Sequence, residues 1–192
     1  MIVIGIVSDN YRENLAKKLF NYLKKRGKTG VVIEKYSNTN YTQNSTELDY
    51  AIFDLKVDDI NENNHGLKFD IILERFENST VYDEDKIQEL IFKIKNKGYF
   101  IFNSDYINKI SFKCSEIYPI TYGLNSKSTV TASSIDDMEG LEFSFCLQRN
   151  IVSMGNEIIQ PFERPLKVEG ENMDLYDYIS ALTCIMILGY KI

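Results

Sequence analysis

Ile2-Val3-Ile4-Gly5-Ile6-Val7-Ser8-Asp9-Asn10-Tyr11-Arg12-Glu13-Asn14 is the stretch that decides the fold. A continuous apolar run bounded by a polar turn is the pattern of a strand covered on both faces, as at the centre of a parallel sheet. The turn leads into a helix from Asn14 to Lys25, with Leu15, Leu19, Tyr22 and Leu23 at helical spacing and Gly27 placed to end it. Gly30 to Ile33 returns as a second strand, which completes a βαβ unit. Strand, tight turn and helix is also the layout of a phosphate-binding loop. Such a loop needs glycines that let backbone N–H groups face the phosphates, a Lys for the β/γ oxygens and a Ser or Thr hydroxyl for Mg²⁺. Tyr11, Arg12 and Glu13 stand where Gly, Lys and Thr are expected. Glu13 puts a carboxylate where an anion should sit, and Tyr11 adds bulk where backbone must approach closely. The layout is kept and the phosphate chemistry is expected to be lost.

Downstream, Tyr50 to Leu55 and Phe69 to Leu73 read as buried strands separated by the polar segment Asp58 to Asn64, and Ser37 to Thr46 reads as an exposed loop. Asp83 is placed to cap a helix running to Lys97, with Ile87, Leu90, Ile91 and Ile94 inward and Gly98 just past its end. Tyr99 to Phe102 is a further strand. After Asn103 the pattern changes: Ile117 to Tyr122, Ser128 to Ile135, Leu141 to Leu147 and Glu157 to Val168 alternate as antiparallel pairs do. A last helix runs from Asp174 to Leu188, with Leu175, Tyr178, Ile179, Leu182 and Ile185 on one face. The expected fold class is α/β, an open, mostly parallel P-loop or Rossmann-like sheet with helices on both faces and a small antiparallel β subregion toward the C-terminus. One domain is expected over 1–192, divided into an α/β core at 1–110, an antiparallel region at 111–170 and a closing helix at 171–192.

Composition narrows the functional classes. Of 192 residues, 44% are hydrophobic and 26% charged, so the chain is expected to fold throughout. A formal charge of -6 argues against a nucleic-acid or anionic-membrane surface, since both need clustered Lys and Arg. There is no signal-peptide pattern and no apolar stretch approaching ~20 residues, and the expected location is cytoplasmic. Cys114, Cys146 and Cys184 lack metal-site spacing and read as reduced core thiols. The single histidine, His65, lies beside Gly66 and reads as a surface loop residue.

Several strings, in order, resemble the central domain of the Mur ligase family, the ATP-dependent ligases that add amino acids to peptidoglycan precursors. Gly5, Ile6 and Asn10 match the strand and Gly-Thr-Asn-Gly-Lys-Thr loop that open that domain. Leu48 to Asp54 is similar to the family strand ending in a metal-binding Glu, here Asp54. Gly66-Leu67-Lys68-Phe69-Asp70-Ile71-Ile72 is similar to the strand before the family's Thr-Asn and Asp-His-Leu-Asp segments, which this chain lacks. Gly98 to Asp105 resembles the family's Gly, apolar strand and Asn-x-Asp-Asp. Ile120 to Leu124, Val130 to Ile135 and Leu141 to Phe145 resemble its Thr-Tyr-Gly and following strands. Gly170 and the helix from Asp174 to Leu182 resemble its Gly-x-His-Asn-Val-x-Asn-x-Leu-Ala-Ala, with Asp174 and Asp177 in the Asn places. The family's activating lysine would fall near Lys86 or Gln88. Neither of the family's flanking domains is expected within these 192 residues.

The candidate site residues follow from both readings. Ser8, Asp9, Asn10, Tyr11, Arg12 and Glu13 form either an altered nucleotide loop at a helix N-terminus or an ordinary turn capped by Ser8 or Asp9. Asp54, with Asp58 and Asp59, offers hard oxygen ligands to a divalent cation or forms a solvated loop. Asn103, Ser104 and Asp105 end a strand where open α/β sheets bind ligands; the resemblance implies ribose or adenine contacts, and a turn is the alternative. Asp174 and Asp177 join Asn103 and Asp105 as possible ligand residues. No catalytic residue and no cofactor is assigned, with ATP and Mg²⁺ kept for the alternative. The leading expectation is a non-catalytic relative that binds a protein or small-molecule partner, linked to cell-wall precursors. The alternatives are an ATP-dependent amide ligase or its nucleotide-handling subunit, with Arg12 and Asp54 in place of Lys and Glu, and a homodimeric interaction module.

Overall fold

The computed structural model describes residues 1–10, 12–34, 47–60, 66–77, 84–106, 116–138, 140–168 and 174–192, with only the backbone of 13, 59 and 60. Tyr11, His65, Asp83, Cys114 and Gly170, and the side chains of Glu13 and Asp59, lie outside the described residues. The chain forms two compact units, residues 1–100 with 109–119 and residues 101–108 with 120–192.

In the first unit the opening apolar run is β1 (Ile2–Ser8), buried from Val3 to Ser8. The helix that follows, α1 (Glu13–Lys24), buries Leu15, Ala16, Leu19, Phe20 and Leu23. It packs on β2 (Gly30–Glu34) and β3 (Tyr50–Lys56). β1 pairs in parallel with β3 on one side and with β4 (Phe69–Arg75) on the other, and β2 pairs in parallel with β3, giving the order β4-β1-β3-β2. With β1 and β3 flanked on both sides and Ile4, Ile6, Val7, Ile52, Ile71, Ile72 and Leu73 at most 1% exposed, these strands match the all-apolar pattern of buried parallel strands. Each such side chain contributes roughly 1.5–3 kcal/mol of burial.

A short 3₁₀ turn covers Val57–Ile60, and α2 spans Glu84–Phe92. Here the structure corrects the sequence reading, which carries the helix to Lys97. Ile94 opens a ten-residue strand, β5 (Ile94–Asn103), because the backbone and side chains on either side of Lys93 are claimed by β4. Phe69 N–H donates to the Lys93 carbonyl at 2.9 Å, and Lys95 Nζ meets Asp70 Oδ2 at 2.8 Å. Gly98 therefore lies inside a strand rather than beyond a helix. A Cβ there would stand 2.8 Å from the Asp70 carbonyl and 2.9 Å from that of Lys95, so only glycine fits.

The second unit is antiparallel in its outer part. β7 (Val130–Asp136) pairs with β8 (Leu141–Leu147), and β8 with β11 (Phe162–Val168), both antiparallel; β9 (Ile151–Val152) and β10 (Ile158–Ile159) make a separate two-stranded sheet. β11 is an edge strand, and Pro165 with exposed Glu163, Arg164 and Lys167 suits an edge that must not recruit another strand. β6 (Tyr118–Tyr122) departs from the expected antiparallel pairing. It meets β7 in parallel at the single pair Tyr122 and Val130, a contact made across a short loop rather than along a ladder. The last helix, α3 (Leu175–Ile187), is buried on every side from Asp177 to Ile187 instead of along one stripe. It packs on β7, and its Tyr178 stands against Phe143 of β8 at 6.4 Å between ring centroids. The main sheet has nine strands, mostly parallel, and the fold class is α/β.

Candidate functional site

The loop between β1 and α1 is shaped by its own side chains. Ser8, fully buried, donates its hydroxyl to the Asn10 carbonyl. Asp9 Oδ1 accepts from Asn10 N–H at 3.0 Å, and Asp9 Oδ2 accepts from Glu77 N–H at 3.2 Å, two residues past β4. Neither Ser8 nor Asp9 caps the helix, contrary to the simpler sequence reading. Arg12 holds the N-cap position, and no side chain caps it. Its backbone N–H donates instead to Asp54 Oδ1 at 3.1 Å, a carboxylate brought in from the carboxyl end of β3. Its guanidinium Nη2 reaches Glu77 Oε1 at 2.5 Å.

Asp54 is 1% exposed, and its second oxygen, Oδ2, is buried without a hydrogen-bond partner. Glu34 of β2 stands opposite it in register. Burial pushes the Asp54 carboxyl up to about 6, assisted by the Glu34 charge and opposed by the Arg12 N–H and guanidinium. Asp58 points elsewhere, largely exposed and paired with Lys86 Nζ at 3.0 Å. Lys86, near which, with Gln88, the family's lysine would fall by resemblance, is thus engaged by Asp58. Among the described residues, no three His, Cys, Asp or Glu side chains gather as a metal site.

In the second unit, Asn103 and Asp105 come together in a turn. Asn103 Oδ1 accepts from Asp105 N–H at 2.9 Å. The Asp105 carboxylate accepts from Leu124 N–H (2.6 Å), Asn125 N–H (3.0 Å), Asn125 Nδ2 (2.6 Å) and the Tyr176 hydroxyl (3.0 Å). Gly123, at φ 154°, lets the loop pass so close that a Cβ would lie 2.8 Å from Asp105 Oδ2. Ser104 Oγ meets Ser128 Oγ at 2.7 Å. Asp174 is the N-cap of α3 and accepts from Asp177 N–H at 2.9 Å, while Asp177 itself is buried.

Two features escape the sequence reading. Glu77 and Glu34 are isolated carboxylates with no motif around them, and only the parallel register carries them to the loop and to Asp54. An open pocket of about 470 Å³ in the second unit is lined by Ile159, Phe162, Met186 and Tyr190 among others, residues from three elements with no shared sequence signal.

No family model matches the sequence, and no curated protein matches it. Solved structures do. One is a UDP-N-acetylmuramoyl-L-alanyl-D-glutamate–2,6-diaminopimelate ligase, at a TM-score of 0.70 and 12% identity, covering 100% of this chain and 44% of that one. The fold is one found within Mur ligases. The Acinetobacter baumannii ligase that joins D-alanyl-D-alanyl to UDP-N-acetylmuramoylalanyl-D-glutamyl-2,6-diaminopimelate matches at a TM-score of 0.62 and 14% identity, over 99% of this chain and 43% of that one. The Thermotoga maritima MurF ligase in complex with ADP matches at 0.61 and 13%, over 100% and 46%. The chain therefore spans less than half the length of these Mur ligases. No described helix is long and apolar enough to cross a membrane.

Proposed function

We propose that this chain is a non-catalytic counterpart of the nucleotide-binding part of a Mur ligase, working as a binding module for a protein or small-molecule partner, with cell-wall precursors as the ligand class. The observation that carries the proposal is the occupation of the β1–α1 loop by carboxylates. Asp9, Asp54 and Glu77 take up the Asn10, Glu77 and Arg12 N–H groups and the Arg12 guanidinium. A triphosphate would need those groups as donors, and three carboxylates around it would repel it. ATP and Mg²⁺ therefore do not fit the residues present. The Asn103 and Asp105 turn supports the same reading, because the Asp105 carboxylate already accepts four hydrogen bonds from its own unit.

The second reading, an ATP-dependent amide ligase or its nucleotide-handling subunit, draws on the ADP-bound T. maritima relative. In it Arg12 would hold phosphate and Asp54 the metal ion. Thermal unfolding with and without millimolar ATP and Mg²⁺ separates the two, since a ligand of the folded state must raise the melting temperature. The binding-module reading expects no Mg²⁺-dependent rise. A clear rise that disappears in Arg12→Ala overturns it.

A further inference from the structure

We propose that Glu77 is a built-in anion that keeps the β1–α1 loop of the wild-type chain closed to phosphate, an autoinhibitory contact with Arg12 whose removal opens the loop to a phosphate-bearing ligand. This rests on the reading of the loop given above and concerns its regulation. Glu77 sits directly beyond β4, and it is tied to the loop twice: its N–H donates to Asp9 Oδ2, and its carboxylate pairs with Arg12 Nη2. Among the described residues, Arg12 is the cation at the N-cap of α1, its side chain only 15% exposed, so a carboxylate beside it takes the place that a phosphoryl oxygen would need.

The closure rests on one side-chain contact. Glu77 is 45% exposed at its side chain, while its backbone N–H is held on Asp9. Arg12 Nε and Nη2 are both buried without a hydrogen bond of good geometry, so the contact with Glu77 is a close ion pair and not the two-pronged fork that a guanidinium prefers. Asp54 Oδ2, 99% buried as part of its residue and likewise without a partner, borders the same backbone. Two donors of Arg12 and an acceptor of Asp54 are thus left unused at a loop whose Arg12 is covered by the chain's own carboxylate.

Isothermal titration of the wild type, Glu77→Gln and Glu77→Gln/Arg12→Ala with inorganic triphosphate and with ATP tests this. Glu77→Gln should tighten binding at least about tenfold, the factor expected when a binding-competent state rises from one in ten or fewer molecules to nearly all. Adding Arg12→Ala should abolish the gain. Glu77→Asp, which keeps the charge on a shorter arm, should fall between the two and serves as the second variant should Glu77→Gln unfold. No tightening in Glu77→Gln, or a gain that survives Arg12→Ala, overturns the proposal. The wild-type titration judges the binding-module reading separately: tight wild-type binding sinks that reading, whereas weak binding in all three proteins sinks only the role of Glu77.

Discussion

Asp54 is a carboxylate held at an electrostatic cost. An ordinary Asp titrates near 3.8, and in the fold this one is raised to about 6 by burial. Because the folded state favours the protonated form, its contribution is fully present below the unfolded value and is lost as pH rises past 6. Two units correspond to about 3 kcal/mol. Asp54→Asn keeps an acceptor for the Arg12 N–H without the charge, so it should be more stable than the wild type at pH 8 by up to about 3 kcal/mol and nearly equal at pH 4. Urea unfolding at both pH values checks this; a variant no more stable at pH 8 counts against it. Cys184 offers a second test at this scale. Burial pushes its thiol up to about 12, so iodoacetamide should leave Cys184 unmodified in the native protein and label it only on unfolding, as peptide mass mapping will show.

Among the elements, the turn after β5 and the start of β5 depend on close backbone approach. Asp105→Ala removes the acceptor for Leu124 N–H, Asn125 N–H and the Tyr176 hydroxyl. Leaving such donors unmatched costs roughly 1–3 kcal/mol, and the amides of Leu124 and Asn125 should lose hydrogen-exchange protection while those of α3 keep it. Exchange unchanged at both amides would deny Asp105 its role as the organiser of this loop. Gly98→Ala should lower stability by at least about 1 kcal/mol, since the new Cβ would strike backbone carbonyls that cannot step aside. Element boundaries show where the sequence misleads. Ile87, Leu90, Ile91 and Ile94 keep helical spacing through the point where the helix stops, because the reason it stops lies on β4, in Phe69 and Asp70, far away in sequence. The apolar runs of β1, β3 and β4 (Ile2–Val7, Tyr50–Phe53 and Ile71–Leu73), by contrast, are legible, as burial on both faces favours apolar residues there.

For the whole molecule, the order of strands and helices was readable because each element's local pattern agreed with its place in the sheet. The state of the loop was only half readable. Arg12 and Glu13, standing where Lys and Thr are expected, carry the expectation that phosphate chemistry is lost, but nothing near Glu77 marks it as the partner of Arg12, since that pairing exists only once β4 lies beside β1. At this scale a core truncation should behave conventionally: Phe145→Ala, in the fully buried centre of β8, should cost about 3–5 kcal/mol in denaturant unfolding and leave any behaviour of the β1–α1 loop unaltered. The account's central claim is that the chain's own carboxylates occupy this loop in place of nucleotide phosphates. A crystal structure grown from millimolar ATP and Mg²⁺ tests it most directly. The account predicts Arg12 on Glu77 and Asp54, with no nucleotide at the start of α1. Phosphates seated there, with Glu77 turned out to solvent, would contradict it.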